Sequence, residues 1–228
     1  MIVMEFDSLI HKEFDSARAA RPLSTIDESP IRFGRKMFID YGIVEGDSTI
    51  VMVKAGQGGS VRGYRDKYVR LARGLNEKYG CTVVCSSNPY DGNNPLDNAF
   101  EVIGEYSCKR NLGDYTIYYI GYSAGAVVGA KFAVSYPQIT RLLLVNAPLR
   151  NIEVFKNSIP CFKGERLTFV YGTKDVSYNR INLLEDFVTD DIIRISTVEG
   201  ADHHFSQNET DFFRLPGQHL FYDREITK

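Results

Sequence analysis

From Thr49 onward the chain alternates short apolar runs with longer amphipathic stretches. Ile50–Val53 is followed by Arg65–Tyr79, Thr82–Cys85 by Leu96–Lys109, and Tyr115–Ile120 by Ala124–Tyr136. The rhythm continues through Arg141–Val145, a short helical segment near Glu153–Asn157, then Leu167–Tyr171, Ile181–Phe187 and Ile192–Thr197. The short runs have strand length and are rich in β-branched and aromatic residues, whereas the intervening stretches repeat their apolar residues at helical spacing. Strand and helix in regular alternation predict a parallel sheet. Leu142-Leu143-Leu144-Val145 is apolar at every position, the pattern of a strand covered by helices on both faces. The fold class that follows is α/β, a three-layer sandwich around a mostly parallel sheet.

Ahead of these units, Ile31–Tyr41 reads as a strand, and Gly42–Asp47 as the turn returning the chain to the first parallel strand. This predicts an N-terminal antiparallel hairpin at the sheet edge. Residues 1–30 are mixed in charge and weakly patterned, compatible with a short helix, a lid-like arm or a frayed extension. The domain reading is an extension over 1–30 followed by a single α/β domain over 31–228.

Composition narrows the function classes. A chain of 228 residues with 43% hydrophobic and 25% charged content can bury one large core. The formal charge is −2, with no cluster of Lys and Arg interleaved with aromatics, so no nucleic acid partner is expected. Met1–Asp7 lacks the basic start and apolar core of a signal peptide, and no apolar run reaches membrane-spanning length. The expected location is cytoplasmic, with no membrane partner. The four cysteines, Cys81, Cys85, Cys108 and Cys161, have no metal-type spacing and read as free thiols. Cys81 and Cys85 fall on one predicted strand, roughly 13 Å apart at about 3.3 Å per residue, too far to bridge. The four histidines are scattered except for His203-His204, which leaves no ligand set for zinc and no metal site. No cofactor is expected.

The chemistry concentrates in Tyr118-Tyr119-Ile120-Gly121-Tyr122-Ser123-Ala124-Gly125, an apolar strand running into a Gly-x-Ser-x-Gly turn and then a small-residue helix. A serine between strand and helix sits on a sharp, strained turn, and the flanking glycines let the two elements pack closely. Ser123 is therefore a candidate nucleophile. Its hydroxyl needs a base to take its proton, and the base needs an acid to orient it. Asp175 follows the strand Leu167–Tyr171 in Gly172-Thr173-Lys174-Asp175, and His203 and His204 follow the last strand in Gly200-Ala201-Asp202-His203-His204-Phe205. Both loops lie at strand carboxyl ends, where the sites of open α/β sheets collect. Asp202 is too close in sequence to the histidines to be the orienting acid, and reads as a brace of its loop. Gly56-Gln57-Gly58-Gly59 follows the first parallel strand but lacks the Gly-Lys-Ser/Thr ending of a phosphate-binding loop.

Strand-Gly-Tyr-Ser-Ala-Gly-helix, then Gly-Thr-Lys-Asp, then Gly-Ala-Asp-His-His-Phe resembles the α/β-hydrolase superfamily over about residues 31–213. The resemblance implies a catalytic set of Ser123, Asp175 and His203, with His204 as the rival base. It also implies an oxyanion hole from the backbone N–H groups of Ala124 and, by alignment of the glycine loop, Gln57. Members commonly carry His-Gly-x-Gly-Gly in that loop; here Ala55 stands in the histidine's place. About twenty residues separate Val145 from Leu167, too few for a helical cap, so a small, capless serine hydrolase is implied. Tyr122, Tyr90 and Val176 are candidate substrate contacts, within a wall drawn from residues 88–94, 146–149 and Phe205. Arg62 and Arg65 are candidate carboxylate binders that read more simply as solvated residues.

The expected partner is a small-molecule acyl substrate, a carboxylic ester or thioester cleaved through an acyl-enzyme on Ser123. A peptidase or acyltransferase would use the same residues. A non-catalytic scaffold of hydrolase-like fold is the alternative of a different class.

Overall fold

The computed structural model describes residues 4–14, 37–89, 95–189 and 191–224. Among them eight strands form one sheet. They are β1 (Ser8–Phe14), β2 (Met37–Val44), β3 (Asp47–Lys54), β4 (Cys81–Ser86), β5 (Thr116–Tyr122), β6 (Ile139–Val145), β7 (Arg166–Gly172) and β8 (Ile193–Val198), in spatial order β1-β2-β4-β3-β5-β6-β7-β8. From β4 through β8 every neighbouring pair is parallel, while β2 runs antiparallel to both β4 and β1. The helices are α1 (Lys67–Tyr79), α2 (Leu96–Arg110), α3 (Ala124–Lys131), α4 (Ile152–Ser158) and α5 (Glu209–His219).

The period-two geometry of strands divides the continuously apolar runs between two cores. Ile50, Met52, Ile117, Tyr119, Leu142 and Leu144 face α2, α3 and α4, where Val102, Ala126, Ala130 and Phe155 meet them. Their neighbours Val51, Val53, Tyr118, Ile120, Leu143 and Val145 face α1 and α5, against Val69, Leu75, Phe212 and Leu215. This is the three-layer sandwich expected from the pattern.

The N-terminal antiparallel pair is present, but its members differ from the expectation. Strand β2 does not fold back onto β3; it pairs with β4 and with β1, which comes from the stretch 1–30 that sequence patterning left unassigned. The reversal is also shorter than Gly42–Asp47, because β2 continues to Val44 and only Glu45 and Gly46 separate the strands. A Cβ on Gly46 would lie 2.4 Å from the Cys81 carbonyl carbon, so the chain crosses against the start of β4 and enters the sheet on its far side. This places the apolar centre of β3, Ile50–Val53, between two parallel neighbours, where both faces are covered.

Two further elements depart from the reading by pattern. Helix α3 ends at Lys131 and is followed by a 3-10 turn over Ala133–Ser135, because Pro137 drives Tyr136 into an extended conformation (φ −96°, ψ 113°). The C-terminal helix α5 contains Pro216, which masks its helical pattern in the sequence. Between β6 and β7 the chain forms only α4 and one 3-10 turn, so no cap domain is inserted there. The four cysteines are free, with Cys81 and Cys85 buried and Cys108 and Cys161 exposed.

Gly125 tests the tightness of this packing. Its Cβ would lie 2.3 Å from the Lys54 carbonyl oxygen and 2.6 Å from that of Ala55. Helix propensity alone favours Gly125→Ala by about 1 kcal/mol. The backbone contact is the larger effect, and we expect a net destabilisation of about 2 kcal/mol or more, read by urea denaturation.

Candidate active site

Strand β5 ends at Tyr122 and α3 begins at Ala124, leaving Ser123 alone on the turn with φ 54° and ψ −118°. Such a backbone is unfavourable for a residue with a Cβ. It is held by the Ser123 N–H donating to Val145 O at 2.8 Å and by the Ser123 carbonyl accepting from Ala126 N at 2.9 Å. The flanking glycines are required by contact as well as by the turn. A Cβ on Gly121 would lie 2.4 Å from the Gly125 carbonyl oxygen.

The ring that reaches Ser123 is that of His203, with Nε2 3.0 Å from Ser123 Oγ. Its Nδ1 meets Asp175 Oδ2 in a short hydrogen bond. The Asp175 side chain is fully buried, and its other oxygen accepts from Ser177 N at 2.6 Å. Burial pushes the Asp175 pKa up, but the hydrogen bonds from His203 and Ser177 outweigh it, and the net shift is downward. Asp175 is thereby held as a carboxylate facing the imidazole. His204 points elsewhere: its N–H donates to Asp202 Oδ1 at 3.0 Å, and its ring is exposed. Asp202 also accepts from Ser206 N at 2.8 Å, which makes it the loop brace expected from its position.

The histidine loop is pinned from beneath. Asn146 is fully buried with φ 49°; its side chain donates to His203 O at 3.0 Å and to Asp202 O at 3.3 Å, and accepts from Gly172 N at 2.9 Å. The Tyr122 hydroxyl also donates to His203 O. On the outer side, the Lys67 ammonium donates to His204 O at 2.9 Å while lying 3.8 Å from the Phe212 ring centroid. Burial brings the Lys67 pKa down to about 8, against a raising influence of Glu209 and Asp202.

The glycine loop passes directly over the serine: a Cβ on Gly56 would lie 3.3 Å from Ser123 Cβ. Asn88 fixes its shape. The Asn88 side chain donates to Ala55 O at 3.0 Å, its N–H donates to Gly59 O at 3.1 Å, and its carbonyl accepts from Gly58 N at 3.0 Å. Buried Asn88 therefore secures the glycine loop that begins at Ala55. Beneath it, the buried Lys54 ammonium donates to Ser86 Oγ at 2.9 Å and Ser87 O at 2.6 Å, tying the ends of β3 and β4 together.

Ser123, His203, Ala124 and Gln57 open into one cavity of about 810 Å³. Of the expected substrate contacts, Val176 stands at its rim, 81% exposed. Tyr90 lies outside the described residues. Tyr122 does not line the cavity: it is 6% exposed and faces the opposite core, because adjacent residues of β5 point to opposite sides of the sheet. Phe205 is likewise buried in that core, whereas Asn88, Pro89, Pro148 and Leu149 are wall residues as expected. The arginines singled out by sequence are also elsewhere. Arg62 is paired with Glu5 and Asp66, and Arg65 lies over Tyr64. The residues missed include Val127, Val128, Lys131 and Phe132, which extend the cavity along and just past α3, and Arg150 and Arg180 from later segments. The spacing of the four near α3, one helical turn repeated from Ser123, is the signal that locates them. Among the described residues no group of three His, Cys, Asp or Glu side chains could hold a metal ion, and no helix is long and apolar enough to cross a membrane.

No family model matches the chain, and neither does any curated protein sequence. Solved structures do. The chain superposes on a lidless α/β serine hydrolase from Xanthomonas campestris with a TM-score of 0.65 and 17% identity, covering 87% of this chain and 93% of that one. It superposes on the protein Est1E from Butyrivibrio proteoclasticus with a TM-score of 0.63 and 13% identity, covering 82% and 94%. For dienelactone hydrolase from Anabaena variabilis the TM-score is 0.60 and the identity 14%, covering 93% and 98%. The chain has the α/β-hydrolase fold.

Within an α/β-hydrolase fold, Ser123 on the turn after β5, Asp175 after β7 and His203 after β8 all stand at strand carboxyl ends. Asn146→Ala tests how the histidine is positioned in this hydrolase fold. It removes three buried hydrogen bonds and places alanine at positive φ, so a loss of about 2–4 kcal/mol in thermal or urea unfolding is expected. A change below about 0.5 kcal/mol would show that the loop is held independently of Asn146.

Proposed function

We propose that the protein is a serine hydrolase acting on a small-molecule carboxylic ester or thioester through an acyl-enzyme on Ser123. The observation carrying this reading is the continuous hydrogen-bond chain from Asp175 through His203 to Ser123 Oγ at the floor of an open cavity. The names of two structural neighbours, a serine hydrolase and a dienelactone hydrolase, support it.

In the first half-reaction Ser123 Oγ attacks the acyl carbon while His203 Nε2 accepts the hydroxyl proton. The C–O bond forms, and the carbonyl π electrons move to oxygen. The Ala124 and Gln57 N–H groups are the proposed donors to that oxyanion; losing one such donor typically costs about 3 kcal/mol of transition-state stabilisation. Asp175 keeps the imidazole oriented with Nε2 toward Ser123 and stabilises the imidazolium. As the oxyanion collapses, the bond to the leaving oxygen or sulfur breaks, and His203 returns the proton to it. Water then enters and the same steps release the acid, restoring Ser123. Four free thiols, two of them buried, fit work in a reducing compartment such as the cytoplasm.

Turnover of short p-nitrophenyl esters by the wild type and four variants tests the assignment. Ser123→Ala and His203→Ala are each expected to lower kcat by about a thousandfold or more, and Asp175→Asn by a comparable factor through misorientation of the ring. His204→Ala should retain turnover within about tenfold. Near-normal activity of Ser123→Ala would overturn the proposal, and a large loss confined to His204→Ala would move the base to that residue.

A further inference from the structure

Among the described residues the cavity lining carries positive charge only. Lys131, Arg150 and Arg180 line it, and no carboxylate does among the described residues, although the whole chain carries 29 acidic against 27 basic residues. None of the three is ion-paired to a described carboxylate. Arg180 makes one long hydrogen bond, 3.4 Å to Leu149 O, and the Lys131 ammonium lies 4.7 Å from the Phe132 ring centroid. Burial holds the Lys131 pKa below its usual value, the signature of an ammonium withdrawn from water without a compensating anion.

Their placement has a direction. Lys131 is eight residues along α3 from Ser123, about 12 Å at 1.5 Å per residue, and Val127 and Val128 cover the helix between them. Along α3 the cavity thus runs from the reactive serine over an apolar stretch to the Lys131 ammonium, while Arg150 and Arg180 line it from the segments after β6 and β7. An uncharged substrate would leave the three cations of the lining without an anionic partner among the described residues. A chain ending in a carboxylate would complete them with charge-assisted hydrogen bonds.

Building on the hydrolase reading, we infer that the substrate is an ester or thioester bearing a second, remote carboxylate, separated from the reacting carbonyl by an extended apolar spacer and held by Lys131, Arg150 and Arg180. The same cations raise the encounter rate of an anionic substrate at low ionic strength.

Two pairs of esters test this and locate the charge. Mono-p-nitrophenyl suberate against p-nitrophenyl octanoate places the carboxylate on the acyl side. The acetyl ester of an omega-hydroxyoctanoate against that of its methyl ester places it on the leaving-group side. The expected result is a kcat/KM ratio favouring the anion by at least about tenfold in one pair, shrinking as salt is raised from about 0.05 to 0.5 M. The ratio should fall toward 1 in Lys131→Gln and Arg180→Gln and below 1 in Arg180→Glu. Arg150 and Arg180 are exposed, so their variants have no packed core to lose. Equal rates within both pairs, with the neutral esters turned over, would overturn the inference and leave the hydrolase reading standing. A preference that survives all three variants would overturn the assignment to these cations. Failure to hydrolyse any of the four esters would remove both.

Discussion

The close passage of the end of β3 against the start of α3 sets the geometry around Ser123. The Lys54 and Ala55 carbonyl oxygens occupy the space a side chain on residue 125 would need, and the Gly125 carbonyl occupies that of a side chain on residue 121. With both glycines in place, strand, helix and glycine loop approach closely enough that residue 123 must turn at φ 54°. Backbone strain of this kind costs about 1–3 kcal/mol. It is offset by the surrounding sheet, since Ser123 N–H is bonded to the end of β6 and both cores are closed beneath it. The same passage brings Gly56 over the serine and leaves Ala124, the first residue of α3, on the cavity wall.

The histidine is positioned by a second, separate set of contacts. Its loop lies at the end of β8, near the sheet edge, where few strands remain to hold it. Asn146 from the end of β6, Tyr122 from β5 and Lys67 from α1 all bond to the backbone carbonyls of residues 202–204. The ring is therefore aimed through its main chain, leaving its two nitrogens for Asp175 and Ser123. Its side chain is 35% exposed and lines the cavity.

Much of this was legible in the sequence because it depends on local pattern. Continuously apolar runs marked the buried parallel strands, and the glycine spacing around Ser123 marked the turn. Asp175 stood out because it follows such a run, and His203 with its rival His204 because they follow the last predicted strand. What was hidden depends on tertiary contact. The route of β2 around β4 turns on Gly46 pressing against Cys81, for which spacing gives no sign. The role of Asn88 in shaping the glycine loop arises from a contact across more than thirty residues. Tyr122 was misread as a wall because its neighbour Ser123 faces the site, although alternation along a strand points the two apart. The cations Lys131, Arg150 and Arg180 come from three separate segments and look like ordinary surface residues until the fold gathers them.

Activation of Ser123 by His203 and Asp175 is the claim on which the functional account rests. Intact-protein mass spectrometry after treatment with a fluorophosphonate tests it without assuming any substrate. The account predicts one covalent adduct, mapped to Ser123, in the wild type and none in Ser123→Ala. A wild-type protein that stays unmodified, or an adduct that persists in Ser123→Ala, would contradict it.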